Sequence, residues 1–236
     1  MKGLGIAFTL LLMTQGFAFA GTPVELDIPA TEVYLINGFD DNDNVEVILS
    51  GNLPNLCHQS PTTYMDVVGT TVKVRMTALH YHESNPFCPK VEVPFLETVS
   101  LGLLAEGSYD VVVSEGKAYE LNGDLNVGEA KNDRMDDHIY AKVEYIEKNE
   151  KRDEISLVGV NPSNCFELDE IKWVSNKKNA FAVLPILKQV SKECKSSQVP
   201  FRYTVKLPNK LKKQKTVLIH VRSMEGKSVN TLFTRM

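Results

Sequence analysis

The chain has 236 residues, 43% hydrophobic and 24% charged, with a formal net charge of −4. That length suits one large or two ordinary domains, with enough chain to bury a core in each. No stretch reaches the roughly 20 apolar residues that a membrane-spanning helix needs, which excludes a helical membrane protein.

From the N-terminus, Met1-Lys2, the apolar run Leu4 to Met13 and the small residues Ala18 and Ala20 form the three parts of a cleavable secretory signal. Residues 1–20 are therefore expected to be removed, leaving a periplasmic or secreted protein that begins at Gly21. Asp40-Asp41-Asn42-Asp43-Asn44 has oxygens at alternate positions like the start of a calcium loop. Val45 stands where such a loop needs glycine, so the cluster reads as an Asx-rich turn. Val45–Leu49, Thr71–Met76 and Tyr109–Val113 alternate or are β-branched, and each predicts a strand. Glu115-Gly116-Lys117 follows the third as a hairpin turn would.

Residues 128–138 are rich in charge and poor in apolar side chains, and read as a linker between units at 21–127 and 139–236. Beyond it, Phe201–Leu207 and Val217–Val221 predict further strands, and Glu225-Gly226-Lys227 another hairpin turn. Only Ile186 to Ser196 is compatible with a helical turn or two.

These segments repeat. Gly51, Pro54 and Cys57 match Gly159, Pro162 and Cys165; Cys88 with Val93-Pro94-Phe95 matches Cys194 with Val199-Pro200-Phe201; and Glu-Gly-Lys recurs. The three anchors keep one order, displaced by 106 to 110 positions, which indicates a duplication. If each copy folds alone, Cys57 pairs with Cys88 and Cys165 with Cys194. Each bond closes a loop for which chain entropy gives about 3.5 kcal/mol. Pairing between the copies is the alternative.

Leu101, Gly107-Ser108-Tyr109 and Val111–Val113 resemble the turn into a late strand of the immunoglobulin-like β-sandwich modules found in exported bacterial proteins. The resemblance implies an all-β chain of two tandem immunoglobulin-like sandwiches, each with one internal disulfide, and makes Tyr109 a corner tyrosine. The second copy departs from it, with Lys212-Lys213-Gln214-Lys215 in place of Gly and Tyr.

The fold alone implies no function. There is no Gly-x-Ser-x-Gly elbow; Pro86 spoils the metalloprotease motif that His82-Glu83 begins, and Val221 spoils a phosphate loop ending at Lys227-Ser228. No cofactor is expected. His80 and His82 share a strand face and His58 neighbours Cys57, so the three imidazoles are the candidate metal ligands, against a plain reading as exposed loop histidines.

The charge layout is more distinctive. Residues 21–138 carry 6 Lys and Arg against 20 Asp and Glu, and residues 139–236 carry 19 against 10. That polarity points to an anionic partner for the second copy, to docking of one copy on the other, or to head-to-tail association. Lys177, Lys178, Lys210, Lys212, Lys213 and Lys215 are the candidate anion-binding residues. A non-enzymatic binding or structural protein with an unknown protein or anionic polymer as partner is the first expectation. A periplasmic assembly chaperone, or an exported enzyme or metal carrier using the histidines, is the alternative.

Overall fold

The structure is a computed structural model and describes residues 22–81, 87–195, 198–208 and 216–234. Among these residues every regular element is a β-strand. The first half holds β1 (Val24–Asp27), β2 (Glu32–Leu35), β3 (Phe39–Asp40), β4 (Val45–Leu53), β5 (His58–Val68), β6 (Thr71–His80), β7 (Val93–Gly102), β8 (Gly107–Val113) and β9 (Leu121–Gly128). The second holds β10 (Lys142–Asn149), β11 (Glu154–Asn161), β12 (Phe166–Ser175), β13 (Ala180–Gln189), β14 (Val199–Lys206), β15 (Thr216–Ser223) and β16 (Lys227–Thr234).

Four sheets result. The first half makes a small sheet, β2-β4-β7, and a large one in which β5, β6, β8, β9 and β3 are neighbours and β1 pairs with the end of β6. The second half makes β10-β11-β14 and β12-β13-β15-β16. The predicted strands and both Glu-Gly-Lys hairpin turns fall where expected, joining β8 to β9 and β15 to β16. Disulfides join Cys57 to Cys88 and Cys165 to Cys194, with Cα separations of 5.5 and 5.4 Å, ordinary for such bonds. They mark a chain made for an oxidising compartment.

One expectation is corrected. Ile186 to Gln189 continue β13 rather than turning into a helix, because Leu187 and its neighbours pair with Phe166–Leu168 of β12 and both faces of the strand are covered. Residues 190–195 are irregular. The large sheets also contain parallel pairs, β6 with β8 and β13 with β15, beside the antiparallel pairs expected of an immunoglobulin-like sandwich. In each half a hairpin precedes the pair, and its returning strand is the one that docks. Tyr109 does what a corner tyrosine does: its hydroxyl donates to the carbonyl of Ala105, four residues upstream, at 2.9 Å.

Side-chain parity shows how the sheets stack. Val45, Val47 and Leu49 of β4 meet Val72, Val74 and Met76 of β6 and Val111 and Val113 of β8 in one core. Phe181 and Val183 of β13, with Val217, Ile219 and Val221 of β15, meet Ile155 and Leu157 of β11 in another. The opposite faces of β4, β13 and β15 are buried as well. Ile48, Ala180, Ala182, Leu184 and Leu218 all belong to the first core's cluster, so the β2-β4-β7 and β12-β13-β15-β16 sheets lie face to face. Burial on both faces explains the unbroken apolar run Ala180–Leu187, where a half-exposed strand would alternate.

This seam gives a direct test. Ala182 is 1% exposed, and the cations of β13 and β15 are already engaged, Lys188 with Asp169 and Arg222 with Asp43. Ala182→Asp is expected to cost at least about 3 kcal/mol in urea denaturation. A loss below about 1 kcal/mol, the range of surface substitutions, would mean that the seam opens to water.

Candidate functional site at the junction of the two halves

The seam carries polar groups at its margins. Beyond Leu218 on β15 the residues of the same parity are His220 and Arg222, so both side chains point across the seam towards the first half. Arg222 is only 5% exposed. Its Nη1 lies 2.7 Å from Asp43 Oδ2 and 4.0 Å from Asp136 Oδ1, and donates to the Tyr140 hydroxyl at 3.4 Å. Its Nη2 donates to the carbonyl of Gly38, and the guanidinium carbon sits 4.5 Å from the centre of the Phe39 ring. Gly38 has φ +90°, a conformation that L side chains rarely adopt and that aims this carbonyl at the cation.

His220 is completely buried in the same group. It stands edge-on to Phe39 and shares a 2.8 Å hydrogen bond with Asn230 Oδ1, which fixes the proton on Nδ1. Asn230 in turn donates to Thr98 of β7, Ser228 donates to Glu46 of β4, and Asn44 donates to the carbonyl of Gly226 at 3.1 Å. One cation thus faces Asp43, Asp136 and Glu46. Burial is the largest influence on each shifted group. It raises Asp136 to about 7, helped by the Asp43 carboxyl, raises Glu46, and lowers His220 to about 3 with help from Arg222. Burial also works against the charge on Arg222, but Asp43 and Tyr140 together more than offset it and the guanidinium stays protonated.

The linker is bound into the same place. Asp136 adopts φ 67° and is buried. Asp137 Oδ1 accepts from the amide of Lys131 at 3.0 Å and from the side chain of Asn42 at 3.3 Å, while Asp41 Oδ1 accepts from the amide of Ala130 at 2.9 Å. The Asx-rich turn is therefore the partner of the linker and, through Asp43, of Arg222.

Next to β2 the seam opens into a cleft of about 350 Å³ between β9 and the turn joining β12 to β13. Asn176 shapes that turn by accepting from the amides of Lys178, Asn179 and Ala180, and donates across the seam to the carbonyl of Leu35 at 3.0 Å. Asn179 donates to Glu32 at 2.6 Å.

Of the residues singled out by sequence, Lys177 and Lys178 are exposed on the β12–β13 turn, and Lys178 borders the cleft. Lys210, Lys212, Lys213 and Lys215 lie outside the described residues, as do His82 and the signal at 1–20. His58 and His80 come together as a cross-strand pair with ring centres 4.4 Å apart, and burial lowers the pKa of His58. Among the described residues no group of three His, Cys, Asp or Glu is placed to hold a metal ion. Sequence reading missed Arg222 and His220. Their signal was present: polar residues at alternate positions, interrupting the apolar run Val217–Val221 of β15.

A match to the ORF11 beta-sandwich domain family covers residues 47–149, under half of the chain, from β4 through the linker to the end of β10. No curated protein and no solved structure matches. With the four sheets, the match establishes an all-β protein with a β-sandwich fold.

The buried acids predict a pH signature. Asp136 binds its proton more tightly in the folded chain than its ordinary value of 3.8 allows. Its contribution to stability is therefore complete below about pH 4 and lost as pH rises through about 7. His220 behaves oppositely, contributing above 6.5 and losing that contribution as pH falls towards 3. Asp136→Asn removes the first dependence and leaves the second, so the variant should gain a few kcal/mol at most on the wild type between about pH 4 and 7. Urea midpoints across that range measure the gain, and a constant difference would place the proton elsewhere.

Proposed function

We propose that the chain is an exported, non-catalytic binding or structural protein, built as two copies of one sandwich, whose basic second half engages an anionic partner. Duplication is supported by the sheets themselves: β2-β4-β7 corresponds to β10-β11-β14, and β5-β6-β8-β9 to β12-β13-β15-β16, parallel pair included. The corner hydrogen bond of Tyr109 supports kinship with immunoglobulin-like modules, on a sheet order of its own. Two disulfides favour export, and the N-terminal signal pattern favours the periplasm or the exterior.

The observation that carries the anionic partner is the segregation of charge, 19 Lys and Arg against 10 acids in residues 139–236. The acids of the first half do little to neutralise that excess, because among the described residues Arg222 is the one Lys or Arg of the second half paired with a carboxylate from the rest of the chain. Lys177 and Lys178 point to solvent. Lysines so close repel one another, and a polyanion that bridges them relieves the repulsion and releases its own counterions.

The full chain is expected to be retained on heparin and to elute earlier when Lys210, Lys212, Lys213 and Lys215 become Ser, with a further step for Lys177→Ser and Lys178→Ser. The slope of log affinity against log salt should fall by about one for each lysine in contact. Unchanged elution of the six-lysine variant would reduce the asymmetry to surface drift.

A further inference from the structure

The cleft beside β2 has a lining that an anionic ligand does not need. Along β9 the alternate residues Asn122, Asp124 and Asn126 are exposed on one face, while Leu125 and Val127 turn into the core. β3 pairs only with Val127 and Gly128, so among the described strands the edge from Leu121 to Asn126 has no hydrogen-bonded neighbour on that side. Gly123 lets β2 come close here, since a Cβ at this position would lie 2.5 Å from the Leu35 side chain. Val33, Leu35 and Leu121 supply an apolar wall, and Glu32 and Lys178 stand across from β9.

The free valences on this lining are mixed. Asn126 uses its carbonyl oxygen to accept from Ser108 at 2.7 Å, which leaves the amide hydrogens to donate outward. Asn122 gives its amide to Glu120 at 2.9 Å, which leaves the carbonyl oxygen to accept. Asp124 has no ion pair or hydrogen bond among the described residues, and Glu32 has one carboxylate oxygen beyond the one that Asn179 occupies. Two carboxylates against one lysine disfavour an anion. Acceptors at Asn122, Asp124 and Glu32 and a donor at Asn126, beside an apolar wall, match a molecule with adjacent hydroxyls on one side and C–H groups on the other.

We propose that this cleft binds a neutral sugar unit, one or two residues long. Separate hydroxyls can donate to Asn122 and to Asp124, one near the other end can accept from Asn126, and the ring's C–H face rests on Val33 and Leu121. A volume of about 350 Å³ falls within the range of small-ligand sites, and the cleft lies at a junction of two packed units, where such sites concentrate. The inference rests on β9 and the apolar wall, with Lys178 alone shared with the lysine surface, so a failed heparin experiment leaves it standing.

The test is titration of the full, disulfide-intact chain with maltose, cellobiose, lactose and N,N′-diacetylchitobiose, each to about 20 mM, followed by two-dimensional amide NMR. At least one sugar is expected to cause saturable shifts in the Asn126 side-chain amide and the backbone amides of Leu121–Asn126. Asp124→Ala and Asn126→Ala, both at exposed positions, should each weaken that binding about tenfold or more while the urea midpoint stays unchanged. The proposal is overturned if none of the four sugars gives a saturable shift at these amides. It is equally overturned if glycerol at the same concentration produces the same shifts, or if both substitutions leave the affinity unaltered.

Discussion

A guanidinium removed from water must be surrounded by acceptors, and in this chain nearly all of those around Arg222 come from outside its own half. Asp43 belongs to the turn before β4, Gly38 to the connection before β3 and Asp136 to the segment joining the halves, and Tyr140 alone comes from the second half. Each is held by further contacts that would fail if the cation moved. The linker's left-handed Asp136, the Asx-rich turn and the register of the two facing sheets are therefore one arrangement. Buried ion pairs add little net stability, because desolvation cancels much of the Coulomb gain. What Arg222 supplies is discrimination: a slip of one sheet on the other would strand a buried charge, at far greater cost than the loss of an apolar contact.

That view changes the meaning of the charge asymmetry. An acidic half beside a basic half suggests docking by bulk attraction, yet the seam is chiefly apolar, with neutral side chains at its margins. Asn44, Asn176, Asn179 and Asn230 each donate across it. Among the described residues, the charged contacts between second-half side chains and the rest of the chain are those of Arg222, together with a neutral His220 3.9 Å from Glu46. Most of the charge on both halves faces solvent. An excess that the fold does not consume is available to a partner, which is why the lysines and not the acids carry the functional reading.

The strands, the hairpin turns and the cysteine pairs were legible because each is written locally: alternation, a turn tripeptide, a repeated offset. What was not legible depends on what lies opposite. Ile186–Gln189 reads as helix or strand until Phe166–Leu168 is placed beside it. The parallel pairing of β13 with β15 leaves no mark on either strand taken alone. Arg222 and His220 had a signal in their parity with Leu218, but its meaning required knowing that β15 is covered on both faces. Burial of β4 was half-visible: Val45, Val47 and Leu49 alternate as expected, while Ile48 and Glu46 on the other face are explained only by the second sheet.

The same distinction separates structural from functional residues around the cleft. Asn176 exhausts its side chain within the fold, accepting from three backbone amides and donating to Leu35 and Asn179. Asn179 is likewise occupied by Asn176 and Glu32. These two asparagines fix the shape of the turn and the spacing of the cleft, and folding accounts for them completely. Nothing in the fold requires Asn122, Asp124 and Asn126 to be polar in this pattern. Exposed strand positions tolerate many residues, and a rigid scaffold leaves them free to be chosen by what they touch. The cleft thus has walls set by the seam and a surface that the seam leaves unspent, which is the arrangement a preorganised binding site requires.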